Sequence, residues 1–232
     1  LQTYGASANR GACYQLCRRG YEVTDLETGT KLNIDNKYIM SPKDLCTIEF
    51  MDKIIDAGVK VFKIEGRARS AEYVKKTVEC YRRAADAVCE GRYTPELAAS
   101  LKEELSEVFN RGFWDGYYQG AKLGEWSDVY GSHATRKKIY CGKITNWFDR
   151  ISVAEVLVES EALRKGDDIL IIGETTGVIE QNVSEIRVDL KPTDEAGKGT
   201  LCSIPIIFPD DIRTPGGKKI RRGDKVYIWR EV

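Results

Sequence analysis

Two thiols near the start of the chain, Cys13 and Cys17, stand four residues apart, with Arg10, Arg18 and Arg19 around them and no acidic residue close by. Positive charge lowers a thiol pKa and favours the thiolate, the form that ligates metal or attacks as a nucleophile. The same field suits an anionic partner such as phosphate or carboxylate. Metal ligands, nucleophiles and ordinary buried thiols all remain open, since a structural metal site needs four ligands. A second candidate is Glu65 with Arg67. Arg67 offers a planar fork for carboxylate or phosphate, and Glu65 can hold that fork, act as a base, or simply pair with it. In Asn110-Arg111-Gly112-Phe113, followed by Trp114, Tyr117 and Tyr118, a cation lies among aromatic rings. Nucleic-acid bases stack on such rings; equally, the rings can close a helix end over a core.

These groups need elements to position them. Ser41-Pro42-Lys43-Asp44 reads as a capping box with proline in the first turn, so the pattern predicts a helix carrying Leu45, Ile48, Met51, Ile54 and Ile55 and stopping at Gly58. Residues 59–64 are an apolar run broken only by two lysines and read as a strand. This strand would place Glu65 and Arg67 at its C-terminal end. Ser70 caps a second helix, with Val74, Val78, Tyr81, Ala85 and Val88 on one face; Thr94-Pro95 starts a third, with Leu97, Leu101, Leu105 and Val108. Beyond about Tyr130 the texture changes. Residues 139–147, 151–158, 168–172, 177–183, 201–207 and 226–229 read as strands separated by turns, including Gly-Asp pairs at 166–167 and 223–224 that each lead into an apolar strand. The fold class is α/β plus all-β: an α/β segment over 1–130 and a small β-barrel over 131–232, the boundary falling between about 120 and 138. One strand with three helices cannot close a parallel sheet, so the first segment is expected to be an arc of a larger (β/α) barrel. In such a barrel, Glu65 and Arg67 would lie at the mouth, where reactive groups gather.

Composition narrows the classes. The 36 basic and 36 acidic residues balance, so any nucleic-acid binding must come from a local patch. No apolar run approaches the roughly 20 residues of a membrane span, and a membrane partner is not expected. The chain opens on Leu1 instead of Met, which leads us to expect a removed or missing upstream segment. Seven scattered cysteines are odd in number and too sparse for a secreted disulfide framework, which points to a reducing cytoplasm. Cys80, Cys89, Cys141 and Cys202 fall in predicted helices or strands and read as small core residues. The Arg222-Gly223-Asp224 tripeptide reads as a strand-entry turn.

Four ordered blocks carry a resemblance: 9–18 (Asn-Arg-Gly-Ala-Cys-Tyr-Gln-Leu-Cys-Arg), 40–45 (Met-Ser-Pro-Lys-Asp-Leu), 63–70 (Lys-Ile-Glu-Gly-Arg-Ala-Arg-Ser) with Tyr73-Val74, and 109–113 (Phe-Asn-Arg-Gly-Phe). In these the chain resembles peptidase family U32, a group of collagenase-like proteases that also includes proteins of tRNA 5-hydroxyuridine synthesis and ribosomal RNA cytidine hydroxylation. The resemblance implies a TIM-like barrel followed by a β domain, with this chain starting about two-thirds of the way through the barrel. It implies a 4Fe-4S cluster in the longer protein, with Cys13, Cys46 and Cys17 as ligands on this chain and others upstream. It also implies tRNA or rRNA as partner and a small anion such as prephenate as co-substrate, for which Arg10, Arg67 and Arg111 are the binding candidates.

Iron–sulfur-dependent RNA hydroxylation by the longer protein is therefore the leading expectation, with this piece inactive alone. A peptidase is the alternative. Hydrolysis needs a nucleophile beside a base or a metal-bound water, and the chain has no His-Glu-x-x-His, no Gly-x-Ser-x-Gly and a single histidine, His133. A non-catalytic RNA-binding module is the third.

Overall fold

A computed structural model of the chain describes residues 5, 14–32, 40–66, 69–128, 131–208 and 220–232. It is a mixed α/β structure with a large antiparallel sheet. It divides into two compact units, Leu1–Phe62 with Cys80–Ala134, and Lys63–Glu79 with Thr135–Val232.

The first unit opens with a short hairpin, β1 (Val23–Thr24) on β2 (Lys31–Leu32), turned by Asp25, whose carboxylate accepts from the Glu27 and Thr28 amides. Next come β3 (Asp44–Leu45) and α1 (Met51–Asp56), the latter preceded by a tight 3-10 turn at Ile48–Phe50. The capping-box reading of Ser41–Asp44 is thereby overturned. Local helix grammar lost to pairing on both edges of this segment. Asp44 N–H donates to Gly112 O and Cys46 N–H to Trp114 O on one side, while Lys43 N–H donates to Glu125 O and Ser127 N–H to Ser41 O on the other. The stop at Gly58 holds, at φ +91.

The expected strand at 59–64 is absent. No described strand lies beside these residues, and without a ladder their amides cannot be satisfied as a strand. Val61 is accordingly 83% exposed. The two later helices form where their caps stand. α2 (Ala71–Cys89) follows Ser70, whose carbonyl accepts from Val74 N–H, and α3 (Pro95–Ser106) has Thr94 as N-cap, its side chain accepting from Leu97 N–H at 3.2 Å. β4 (Phe113–Trp114) then pairs in parallel with β3. Cys46, Ile48, Met51, Cys80, Ala84, Leu101 and Leu105 make the core of this unit. Cys89, read as a core residue, is exposed because it ends α2.

The second unit holds the first half of α2 and ten strands: β5 (Arg136–Phe148), β6 (Val153–Val158), β7 (Leu163–Arg164), β8 (Asp168–Gly173), β9 (Gly177–Asn182), β10 (Ile186–Val188), β11 (Lys191–Thr193), β12 (Glu195–Ala196), β13 (Leu201–Pro205) and β14 (Lys225–Glu231). Eight of these form one sheet in the order β11-β10-β13-β6-β5-β14-β8-β9, all paired antiparallel, and β12 pairs with β7. Alternation of buried and exposed residues along β6, β13 and β14 sends one face into a core of Ile144, Val156, Ile171, Ile204, Val226 and Ile228. All six strands expected from periodicity are present.

The two Gly-Asp turns share one construction. At 164–167 and again at 221–224, glycine takes a positive φ (+90 and +94), and the aspartate carboxylate accepts from the arginine amide three residues earlier at 2.8 Å in both. Each turn feeds a strand, β8 or β14, and these two strands pair with each other. The hairpin of β10 and β11 escaped the sequence reading. Its turn, Asp189-Leu190, takes positive φ at both residues without glycine, and so carries no recognisable turn signal.

Candidate functional site

The predicted site residues separate in the structure. Arg10, Cys13 and Arg67 lie outside the described residues. Cys17 is exposed, in the 3-10 turn Leu16–Arg18. That turn is anchored by Arg18, whose guanidinium donates to Ser41 Oγ at 2.8 Å and to Pro42 O at 3.2 Å, and by Tyr21 Oη donating to Leu16 O. The first basic block is thereby tied to the 40–45 block, two of the motifs singled out above.

Asp44 links the second block to the fourth. Its Oδ2 accepts from Arg111 N–H at 3.1 Å and its Oδ1 from Arg111 Nη1 at 3.2 Å, while the guanidinium lies 5.2 Å from the Phe109 ring centre. Arg111, a candidate for binding substrate, is held on a protein carboxylate. Its neighbours are equally committed. Buried Asn110 donates through Nδ2 to Ser106 O and Val108 O and accepts Gly112 N–H, closing the end of α3; Phe113 packs on the core. Tyr117 and Tyr118 stay exposed, with Trp114 edge-on to Tyr117 at 5.3 Å.

Cys46 is buried, its Sγ 3.9 Å from the Tyr81 hydroxyl that donates to it, and Tyr81 Oη in turn accepts from Thr47 N–H at 2.9 Å. Burial, as the leading cause, pushes the Cys46 thiol up from its ordinary value, and the Tyr81 phenol likewise. Among the described residues no three Cys, His, Asp or Glu side chains converge on a point a metal could occupy. Cys46 and Cys17 are the described members of the expected 4Fe-4S ligand set, and Cys13 lies outside the described residues.

Glu65 is exposed, on the segment that forms no strand. His133 Nε2 lies 3.1 Å from Asp128 Oδ1. None of the six described cysteines is in a disulfide. No helix among the described residues is long and apolar enough to cross a membrane.

The second unit contains a cleft of about 640 Å³ that the sequence reading missed, lined by Thr145, Asn146, Trp147, Glu155, Ile220, Arg221 and Arg222. No local motif announces it, because its two walls come from distant parts of the chain.

Comparison with known proteins adds three findings. The model of peptidase family U32 matches residues 2–128. A protein of Porphyromonas gingivalis strain W83 named collagenase is 53% identical over 227 residues, covering 98% of this chain and 52% of that protein. The tRNA hydroxylation protein P1 of Bacillus subtilis is 30% identical over 171 residues (72% of this chain, 40% of that protein), and the 23S rRNA 5-hydroxycytidine C2501 synthase of Escherichia coli is 37% identical over 127 residues (52% and 19%). The chain thus spans about half the length of the first of these relatives and less of the others.

Proposed function

Because the chain belongs to peptidase family U32, whose model covers more than half of it, we propose that it is part of a cytoplasmic protein that hydroxylates a base of tRNA or rRNA. The observation that sets this reading above a peptidase is the state of three buried thiols, Cys46, Cys141 and Cys202, and of the imidazole. Hydrolysis by a cysteine nucleophile needs a lowered thiol pKa beside a base. Here burial raises Cys46, and holds Cys141 up at about 12 and Cys202 at about 11, while His133 is placed against Asp128. Two of the three relatives reported above are named for RNA hydroxylation or hydroxycytidine synthesis.

In this reading the basic first block faces an anionic group, with Arg10 and Arg67 as binding candidates and Glu65 as the associated base. Prephenate is the candidate small anion. Cys13, Cys46 and Cys17 are the candidate thiolates for a 4Fe-4S cluster, completed by residues outside this chain. The architecture proposed for the longer protein is a (β/α) barrel ending near residue 130, followed by a small β-barrel. The parallel pairing of β3 and β4 across intervening helices supports the first, and the eight-stranded antiparallel sheet running from β11 to β9 supports the second.

The test is nucleoside mass spectrometry of total tRNA and rRNA from cells lacking the gene. Loss of one nucleoside that is an oxygen heavier than its parent, restored by the full-length protein, is expected. An unchanged nucleoside profile refutes it. A peptidase is the second reading, favoured by the 53% identity to the P. gingivalis collagenase. Cleavage of denatured collagen by the full-length protein, abolished by Cys13→Ala, would establish that reading instead.

A further inference from the structure

The cleft of the second unit combines three kinds of group on one concave surface. Its first wall is a β-bulge. The register between β5 and β6 shifts between Ile144 and Asn146, so Thr145 is the extra residue and the strand re-aims Thr145, Asn146 and Trp147 together. Its second wall is the 221–224 turn, which is sewn to the bulge by Gly223 N–H donating to Ile144 O and Ile144 N–H donating to Asp224 O, both at 2.8 Å. This turn holds the exposed Arg221 and Arg222 at the rim, over buried Ile220.

The lining has a consistent chemistry. Trp147 is half-buried, edge-on to Phe208 at 5.6 Å, and its Nε1–H donates to Asp149 Oδ1, which fixes the ring in place. Glu155 is the single carboxylate among the lining residues, and it accepts from Thr145 Oγ1–H at 2.6 Å, so it is oriented and keeps further acceptor capacity. Two guanidinium groups, a fixed indole and an oriented carboxylate match the three parts of a nucleotide: phosphate on the arginines, base on the ring, and a sugar hydroxyl or exocyclic amine on Glu155. A volume of about 640 Å³ also suits a nucleotide-sized ligand.

We propose that the cleft formed by Thr145–Trp147, Glu155 and Arg221–Arg222 binds a nucleotide unit of single-stranded RNA. The identity of the polymer rests on the function proposed above; the chemistry of the cleft does not. An acidic peptide would use the arginines but would gain nothing from a placed indole.

The experiment is fluorescence anisotropy of the whole chain with a labelled single-stranded oligoribonucleotide, at about 50 and 200 mM salt, with unlabelled polyglutamate as competitor. Two phosphate contacts on a single strand predict about a sevenfold affinity loss across that salt range. In R221E/R222E this salt dependence should flatten and affinity should fall tenfold or more. In W147A affinity should fall about fivefold or more, with the ring-bearing W147F close to wild type, which separates stacking from a folding defect. Circular dichroism confirms that each variant retains its sheet. RNA that does not bind, binding unmoved by these substitutions, or polyglutamate competing as well as RNA overturns the cleft. None of those results touches the nucleoside profile, which alone judges the reading on which the polymer's identity depends.

Discussion

Asp224 is the residue on which the cleft's second wall turns, and replacing it has a cost that can be worked out. Its Oδ2 alone accepts two donors, the Thr176 hydroxyl and the Arg221 amide at 2.8 Å. Thr176 is fully buried and Asp224 nearly so. In Asp224→Ala the buried hydroxyl loses its acceptor, at about 1–3 kcal/mol, and the part-buried amide adds roughly 1 kcal/mol, since water reaches it more readily. The sum is about 3 kcal/mol, a melting shift of roughly 6–12 °C for a chain of this size. Asp224→Asn behaves differently. Both bonds converge on one oxygen, so an amide oxygen in that place keeps both, and only the contribution of the charge is lost, about 1 kcal/mol or roughly 2–4 °C.

Gly173 supplies an independent check. A Cβ built there would lie 2.0 Å from Asp224 Oδ1. Gly173→Ala should therefore destabilise the natural protein by about 1–3 kcal/mol but cost little once Asp224 is alanine, so the double variant is less damaged than the sum of the singles. Thermal unfolding followed by the sheet signal in circular dichroism reads all four proteins. Equal losses for alanine and asparagine, or strict additivity with Gly173→Ala, would refute the geometry.

Three other expectations come from the same structure. Asp44→Ala removes the acceptor for both the amide and the guanidinium of Arg111, in a pair whose side chains are 20% and 17% exposed. A loss of about 2–3 kcal/mol is expected, with Asp44→Asn losing roughly half of that, read as a lower denaturant midpoint at unchanged slope. At mildly alkaline pH iodoacetamide should label Cys17 and Cys89, which are exposed, well before Cys46, Cys80, Cys141 and Cys202, as peptide mass spectrometry will show. Burial, chiefly, holds Cys141 up at about 12 and Cys202 at about 11, above the unfolded value of about 8.5. Their raised folded pKa means that their contribution is intact below about pH 8.5 and declines as pH climbs towards 11, by up to about 1.4 kcal/mol per pH unit for each thiol.

Much of the architecture was legible in the residue order because it depends on local patterns. Thr94-Pro95 starts α3 through a side-chain bond three residues long, β5, β8, β9 and β14 read as strands from their apolar runs, and β6 and β13 alternate with the sheet's own period. The Gly-Asp pairs are turns because glycine alone adopts a positive φ without strain and aspartate folds back on an amide three residues away. The four family blocks were also legible, and the described parts of the first, second and fourth are joined by Arg18 to Ser41 and by Asp44 to Arg111.

What the order of residues could not decide depends on partners far away in sequence. Ser41–Asp44 spells a helix start and forms an extended segment, because β4 on one side and residues 125–127 on the other take up its backbone hydrogen bonds. Residues 59–64 spell a strand and form none, because a strand is a property of a pair. The burial of Cys46 under the Tyr81 hydroxyl is likewise set by residues far from it in sequence. The arginine and tryptophan cleft exists only because an antiparallel sheet draws the bulge of β5 against the turn before β14. Periodicity and capping act over a few residues and are written into the chain; which surfaces meet is settled by the search for buried partners, and that is resolved only when the chain has folded.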